Sequence, residues 1–190
     1  MKILVYCHEF PPVGGGAGNA LYHLARCWVR DGGCDVTVVT SACAGLELSQ
    51  KVDGITVNRL EVGRHLPWRA TLWQMLRFMT ASILTSGRFY RQARPDICVA
   101  FMTMPGGPGP RMIKKRFGVP YVCQIRGGDV PGFGSSFLNR IHGVASHFIV
   151  STWNKSDFVI ANGKGLAQLA SKTRLRCPVK VLPNGVDSDF

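Results

Sequence analysis

Short apolar runs alternate with longer amphipathic stretches along the whole chain. Residues 35–40 (DVTVVT) are rich in β-branched side chains, and residues 97–101 (ICVAF) are apolar without interruption. Continuous runs of this length are typical of strands that are buried on both faces of a sheet. The pattern predicts strands at residues 2–7, 35–40, 55–60, 97–101, 121–125, 157–161 and 179–182.

Helical periodicity fills the intervals between these strands. We predict helices at residues 19–30, within 69–91, between a Gly/Pro loop (105–110) and Gly118, within 136–155 and at 165–172. Alternating strands and helices are typical of βαβ units around a parallel sheet. The predicted fold class is therefore α/β: a Rossmann-like, mostly parallel sheet with helices on both faces.

The helix within residues 69–91 has apolar positions of two kinds. Trp73 and Leu84 lie on a flank beside Arg77 and Arg91. Apolar side chains among arginines on an outward face suit the headgroup region of an anionic membrane, so we expect residues 59–115 to bind a membrane surface reversibly or to serve a lipid-linked acceptor. The alternative is that both pack under a neighbouring loop. Four other residues share one stripe at helical spacing and are predicted to face the core: Leu72, Leu76, Met79 and Ile83.

The composition limits the class of protein. A chain of 190 residues, 46% hydrophobic and 18% charged, suffices for one globular domain, so we treat 1–190 as a single domain. The sequence has no apolar run of about 18 residues that could span a membrane. The apolar run at residues 2–7 is too short for a signal peptide, so we expect a cytoplasmic protein.

The seven cysteines show no C-x-x-C spacing, and no metal site is expected. Cys7, Cys98 and Cys123 fall inside apolar runs. A reduced cysteine in such a run behaves as a small core residue, and we predict that role for all three.

Positive charge is concentrated in the middle of the chain. The formal net charge is +12, and residues 59–126 contain twelve Arg or Lys against only Glu61 and Asp96. An excess of this kind implies a partner that carries phosphate groups: a nucleotide, an anionic lipid or a nucleic acid.

The loop after the first predicted strand is a candidate phosphate contact. Ligands of parallel α/β sheets bind where strands end, and this loop ends in Gly14-Gly15-Gly16-Ala17-Gly18 before a helix. Glycine allows close approach to the backbone, and N–H groups at a helix start attract anions. The alternative is a tight, closely packed turn. The loop is not a dinucleotide fingerprint, because Asn19 stands at the third glycine position and no acidic residue closes the second strand.

A second candidate loop follows the strand at residues 121–125. Arg126-Gly127-Gly128-Asp129 places a permanent cation and a carboxylate around two glycines. Arginine donates to phosphates and aspartate accepts from sugar hydroxyls, which fits substrate binding. The alternative is an internal Arg–Asp pair that closes the turn. Other residues at strand ends that we expect in the same cleft are His8, Thr103 and Asn184.

Several segments, taken in order, resemble the N-terminal half of family-4 retaining glycosyltransferases of the GT-B fold. They are FPPVGGGAG (10–18), LA (24–25), DVTVVT (35–40), RPD (94–96), GVP (118–120), GGDVPG (127–132) and PNGVD (183–187). The resemblance extends along the whole chain and implies the N-terminal half of a GT-B architecture.

In that family two Rossmann-like domains face each other across a cleft. The first mainly binds the acceptor, and the second binds the nucleotide-sugar and carries an E-x7-E pair. This sequence has only Glu9, Glu47 and Glu61, at the wrong spacing for that pair. The resemblance therefore implies the acceptor-binding half of a transferase, whose donor-binding C-terminal domain is absent from residues 1–190.

The resemblance also implies substrates and roles. The sugar passes from a nucleotide-sugar to a glycan or lipid-linked saccharide with retention of configuration, in polysaccharide biosynthesis, and no metal or other cofactor takes part. Gly15 and Gly16 would bring N–H groups to the donor diphosphate. Arg126 stands where family members often carry a substrate-positioning His, which favours charge recognition here. Arg126 and Asp129, which matches the family's Asp, are the candidate catalytic residues, and Gly127-Gly128 would line the cleft.

Two other classes fit parts of the sequence. A non-enzymatic nucleic-acid binder would explain the net charge, but it should interleave basic and exposed aromatic residues on one surface. The arginines here are spread over strand ends and helix backs. A dinucleotide-dependent oxidoreductase or epimerase would share the fold, but its fingerprint is missing.

Overall fold

One sheet runs through the residues that the computed structural model describes, 1–133 and 136–185, with backbone alone at 136–144. Each of the seven predicted strands forms, and the predicted fold class is confirmed. The elements are β1 (Lys2–Tyr6), α1 (Gly16–Arg30), β2 (Asp35–Cys43), β3 (Ser49–Val52), β4 (Ile55–Arg64), α2 (Leu72–Ala93), β5 (Ile97–Phe101), α3 (Thr103–Gly106), α4 (Pro108–Phe117), β6 (Tyr121–Ile125), α5 (Ser136–Lys155), β7 (Phe158–Ala161), α6 (Lys164–Ser171) and β8 (Val179–Val181).

The sheet has the strand order β3-β4-β2-β1-β5-β6-β7-β8. All neighbours in it pair in parallel except β3 and β4, which form an antiparallel hairpin. The chain first builds outward from β1 through β2 and β4, then returns to place β5 on the other side of β1. The order therefore reverses between β1 and β5, and ligands of such sheets bind in the crevice at that reversal.

Two hydrophobic layers cover the sheet. Alternate residues of β1 point to opposite layers: Leu4 and Tyr6 join the side chains of α2, α4, α5 and α6, whereas Ile3 and Val5 join those of α1. This period of two places helices on both faces, as predicted. Cys7, Cys98 and Cys123 are buried with free thiols, which confirms them as core residues. Burial raises the pKa of the Cys7 and Cys98 thiols to about 12.

Two segments depart from the sequence prediction. The short polar strand β3 was not predicted, because its sequence (SQKV) carries no apolar run and its partner β4 supplies the ordering. The Gly/Pro loop predicted at residues 105–110 is wrong, since this segment belongs to the short helices α3 and α4. A Cβ at Gly106 would lie 2.6 Å from the Tyr6 carbonyl oxygen, and one at Gly109 would lie 2.6 Å from the Tyr6 ring. These glycines allow close helix–sheet packing.

The predicted core stripe of α2 is also wrong. Leu72 and Leu76 are 52% and 49% exposed, and the buried face carries Phe78, Ser82 and Phe89 instead. Ser82 donates its hydroxyl to the Met79 carbonyl oxygen at 2.8 Å. A serine that satisfies its own hydroxyl in this way can be buried, although a hydropathy pattern counts it as polar. The exposed face of α2 is therefore more apolar than predicted.

Candidate active site at the carboxyl edge of the sheet

The loops after β1, β5 and β6 meet beside the reversal of strand order. The β1 loop comprises residues 7–15, and the β6 loop comprises residues 126–132. The backbone N–H of Thr103, at the end of β5, donates to the Asp129 carboxylate of the β6 loop at 2.6 Å. Glu9 and Arg126, from the two loops, both shift the pKa of the buried Cys7 thiol. The topology thus brings the two glycine-rich loops together.

The β1 loop leaves backbone open to solvent at Gly15 and Gly16. Helix α1 starts at Gly16, three residues before the predicted start, with Gly15 as an N-cap that has no side-chain cap. Both glycines are exposed, and a Cβ at either would meet no atom within 4 Å. The first turn of α1 contains no acidic side chain. The positive end of the helix dipole therefore faces accessible space, which suits an anion.

Gly14 and Gly18 have a different role in the same loop. Gly14 has φ +103°, and a Cβ there would lie 2.4 Å from Glu9 Cβ. A Cβ at Gly18 would lie 3.3 Å from the Glu9 backbone. These two glycines make room for Glu9, so the alternative of a tight, closely packed turn applies to Gly14 and Gly18. It does not apply to Gly15 and Gly16, because a Cβ at either position would meet no atom within 4 Å.

Glu9 is a site residue that sequence reasoning missed. Its Oε2 accepts from the Gly15 backbone N–H at 3.2 Å, and its Oε1 lies 3.4 Å from His8 Nε2. The carboxylate therefore binds an N–H group that was predicted to contact phosphate. The sequence feature that could have indicated this role is the position of Glu9, one of three glutamates in the chain, shortly before the glycines of the same loop.

His8 is a buried residue of the β1 loop. Its ring packs edge-on to Phe78, and its Nδ1 has no hydrogen-bond partner among the described residues. Burial lowers the pKa of His8 to about 4, although the Glu9 carboxylate acts in the opposite direction. His8 is therefore neutral at pH 7.

Arg64 ties the β1 loop to the loop after β4 and was also missed. Its guanidinium donates to the carbonyl oxygens of His8 at 3.2 Å, Leu66 at 3.1 Å and Pro67 at 2.8 Å. Pro67 also accepts from the Gly14 N–H at 2.7 Å. The predicted strand ended at residue 60, so nothing in the pattern placed Arg64 near His8, 56 positions earlier.

Asp129 is an internal residue of the β6 loop, only 2% exposed. Its Oδ1 accepts from the Arg126 backbone N–H at 2.9 Å and its Oδ2 from the Thr103 N–H. The turn is thus closed by the backbone of Arg126 rather than by its guanidinium. Asp129 thereby joins the ends of β5 and β6.

The side chain of Arg126 is half-buried and contacts the end of β5 and the segment after β8. Its guanidinium lies 4.2 Å from the centre of the Phe101 ring, and its Nη1 donates to Asn184 Oδ1. Burial lowers its pKa, although Cys7 and Asp129 act in the opposite direction. The group is held by a ring face and a neutral amide, so its positive charge is available to an anionic ligand.

The other predicted cleft residues divide by burial. Thr103 is fully buried, and its Oγ1 accepts from Trp153 Nε1 at 2.6 Å, so it packs beneath the site. Gly127 is buried at φ +111° against the Phe133 ring, whereas Gly128 and Asn184 are exposed. The end of the PNGVD motif, residues 186–187, lies outside the described residues.

Two other features of the described residues bear on the site. Among the described side chains, at residues 1–133 and 145–185, no three His, Cys, Asp or Glu come together in a way that could hold a metal ion. A groove of about 710 Å³ between α5 and residues 173–176 has a basic lining that includes His147, Lys155 and Arg174. It lies where α5 ends before β7, away from the carboxyl edge of the sheet.

The fold is a Rossmann-like α/β sheet. At its carboxyl edge lie the exposed backbone of Gly15 and Gly16 and the guanidinium of Arg126, groups that suit an anion. The chain matches the family model described as Glycosyltransferase Family 4 over residues 14–190. It belongs to that family. A search of curated proteins gives no match.

Solved structures share the fold at low sequence identity. Sucrose-phosphate synthase from Thermosynechococcus elongatus aligns with a TM-score of 0.74 at 12% identity, over 97% of this chain and 48% of that chain. An α,α-trehalose-phosphate synthase (UDP-forming) from Burkholderia vietnamiensis gives 0.58 at 12%, over 98% and 48%. Phytolacca americana UGT2, complexed with UDP-2-fluoro-glucose and pterostilbene, gives 0.60 at 15%, over 99% and 55%. The chain spans about half the length of these GT-B glycosyltransferases.

Proposed function

We propose that residues 1–190 form the acceptor-side half of an enzyme that transfers a sugar from a nucleotide-sugar to a saccharide or lipid-linked acceptor, with retention of configuration. The observation that carries this proposal is the exposed backbone of Gly15 and Gly16 at the start of α1, close to the reversal of strand order. Because the chain belongs to a glycosyltransferase family, the anion that we expect at this edge is the diphosphate of a nucleotide-sugar.

In the proposed reaction, the bond between the sugar C1 and the leaving phosphate oxygen breaks while the acceptor hydroxyl oxygen bonds to C1. The hydroxyl proton passes to an oxygen of the leaving diphosphate. In this proposal the diphosphate displaces the Glu9 carboxylate from the Gly15 N–H. Backbone N–H groups at Gly15 and Gly16, together with the positive end of α1, then stabilise the charge that grows on the diphosphate. Arg126 recognises negative charge across the cleft, and Asp129 holds the β6 loop in place. The reaction uses no metal.

The donor-binding half of the enzyme lies outside residues 1–190 in this proposal. Two facts support it: the chain covers about half of the glycosyltransferases that share its fold, and its three glutamates do not form the E-x7-E pair. The isolated chain, incubated with a panel of nucleotide-sugars and saccharide acceptors, should therefore transfer no sugar. Steady turnover by the isolated chain would contradict the division into halves.

Diphosphate recognition can be tested directly on the 190-residue chain. In ¹⁵N-labelled protein, inorganic pyrophosphate and UDP should shift the amide resonances of Gly15 and Gly16, and the Gly16→Val variant should lose the response. Shifts confined to the groove beside α5, or none at millimolar ligand, would overturn the assignment. The same titration with NAD in place of UDP tests the oxidoreductase alternative. A gel shift with duplex DNA at rising salt tests the nucleic-acid alternative.

A further inference from the structure

The outward face of α2 is apolar and basic at once. Trp73 is 63% exposed and Leu84 is 76% exposed, and both line a shallow depression with Leu76. Arg77, Arg88 and Arg91 are exposed on the same side of the helix. No acidic residue occurs in α2, and Glu61 is the acidic residue at the edge of the depression.

The segment that leads into α2 extends this surface. Leu66, Trp68 and Arg69 are exposed, and so is Leu72 in the first turn. The sequence predicted only Trp73 and Leu84 as outward apolar residues, so the structure adds four more. We call the whole set the α2 surface: Leu66, Trp68, Arg69, Leu72, Trp73, Leu76, Arg77, Leu84, Arg88 and Arg91.

We propose that the α2 surface docks the protein reversibly onto an anionic lipid bilayer. Large apolar side chains scattered among arginines on a convex helix match the boundary between headgroups and acyl chains, where arginines stay at the charged level and the apolar groups enter. The cytoplasmic leaflet supplies the negative charge. No helix among the described residues is long and apolar enough to cross a membrane, so the contact is peripheral.

Charge argues against a second copy of the chain as the occupant. A symmetric dimer through α2 would bring Arg77, Arg88 and Arg91 of one copy against the same three residues of the other. Like charges placed together cost free energy, and one Glu61 per copy offsets only part of the charge of three arginines. A lipid surface with phosphate headgroups complements the three arginines instead.

The α2 surface lies next to the candidate site. Pro67, between the exposed Leu66 and Trp68, accepts from the Gly14 N–H of the β1 loop at 2.7 Å and from Arg64 at 2.8 Å. A membrane-bound protein would thus hold its glycine loop close to the lipid headgroups. This positioning favours a lipid-linked acceptor and rests on the proposed function, whereas docking itself does not.

The test is co-sedimentation of the 190-residue chain with vesicles. Phosphatidylcholine vesicles are compared with vesicles that also contain phosphatidylserine, at low and at high salt. The protein should sediment with the anionic vesicles, and high salt should release most of it, because salt screens charges near a surface. Tryptophan emission should shift to the blue on binding as Trp73 enters the interface.

Matched variants separate the α2 surface from net charge. Each basic residue near an anionic surface contributes about fivefold in affinity, so Arg77→Gln/Arg88→Gln/Arg91→Gln should weaken binding on the order of 100-fold. Trp73→Ser/Leu84→Ser should reduce the emission shift to the part that Trp68 contributes and leave the fold intact, since both substituted side chains are exposed. The control Lys164→Gln/Lys172→Gln/Arg174→Gln removes three charges at the opposite end of the sheet and should lose less than fivefold.

Three results would overturn the proposal. Equal and negligible binding to both kinds of vesicle removes the membrane as partner. Equal losses in the two triple variants mean that net charge alone binds lipid. A dimer in analytical ultracentrifugation that Trp73→Ser/Leu84→Ser dissociates would make a second copy the occupant. None of these measurements depends on sugar transfer, so the docking proposal and the proposed function can fail separately.

Discussion

The β1 loop and the β6 loop combine the same residue types and use them in opposite ways. Each places one carboxylate beside glycines at the carboxyl edge of the sheet. In the β1 loop, Glu9 is about 20% exposed and binds the N–H of Gly15, which faces open space. In the β6 loop, Asp129 is buried and accepts hydrogen bonds from two backbone N–H groups, those of Arg126 and Thr103.

The difference shows how burial decides the role of a carboxylate. Asp129 has both oxygens satisfied inside the protein, so it braces two loops permanently. Glu9 is partly hydrated and binds a group that also suits phosphate, so an incoming anion can displace it. The role of a glycine-rich loop with an acidic residue therefore cannot be assigned until the burial of that residue is known.

The largest expected effect separates the open glycines from the packed ones. In the complete enzyme, the side chain that Gly16→Val adds should keep the diphosphate from approaching the backbone N–H groups. We expect kcat to fall about 100–1000-fold, or about 2.7–4 kcal/mol, by analogy with the loss of one oxyanion-hole donor. Its free energy of unfolding should change little, because a Cβ at Gly16 meets no atom within 4 Å. Steady-state kinetics and urea denaturation measure the two quantities.

Gly14→Ala is the matched control within the same loop. It should destabilise the fold, because Gly14 has φ +103° and a Cβ there would lie 2.4 Å from Glu9 Cβ. If Gly16→Val unfolds the protein as Gly14→Ala does, Gly16 is a packing glycine and the contrast within the loop disappears.

The next effect tests the brace in the β6 loop. Asp129→Asn replaces one accepting oxygen with an N–H₂ group that faces a backbone donor, either Arg126 N–H or Thr103 N–H. We expect a loss of about 2–3 kcal/mol in the free energy of unfolding, because a buried donor is left without an acceptor. Urea denaturation measures it against Asp35→Asn, an exposed position that should show no measurable change. Equal stabilities of Asp129→Asn and the parent protein would refute the brace.

The features of the fold that depend on local sequence patterns could be predicted from the sequence. Apolar runs located β5 and β6 to the residue, and the alternation of elements gave the parallel sheet. The face of α2 was predicted wrongly because Ser82 and Ser86 are buried there, each with its hydroxyl bonded to a carbonyl oxygen of the helix itself. Hydropathy cannot register a polar group that the helix satisfies internally.

The partners within the candidate site could not be predicted in the same way. Asp129 binds a backbone group 26 positions away, and Arg64 binds one 56 positions away. Such contacts depend on how strand ends meet in three dimensions, which no local pattern encodes. The two glycine-rich loops were predicted as site segments because strand ends in a parallel sheet share one edge. The catalytic roles of Arg126 and Asp129 stay predictions.

A smaller effect concerns the pH dependence that His8 gives to the β1 loop. Burial holds its pKa at about 4 in the folded protein, below the ordinary value of 6.5. The unfolded chain therefore binds the proton first, and stability is lost as pH falls from about 6.5 towards 4. We expect a loss of about 1–2 kcal/mol between about pH 6.5 and 5. Urea denaturation at several pH values should show this slope in the parent protein and a flatter one in His8→Gln; equal slopes would mean that His8 does not titrate there.

The smallest effect asks whether Glu9 competes with a bound anion. Glu9→Gln keeps an oxygen that accepts from the Gly15 N–H but removes the negative charge beside the proposed diphosphate. A unit charge about 4 Å away in a hydrated setting is worth about 1 kcal/mol, so pyrophosphate should bind about fivefold more tightly. Calorimetric titration measures this, with Asp35→Asn as a control that removes the same charge at the exposed start of β2, on the amino edge of the sheet. Weaker binding by Glu9→Gln would show that the carboxylate shapes the glycine loop for its ligand, which would make Glu9 a brace like Asp129.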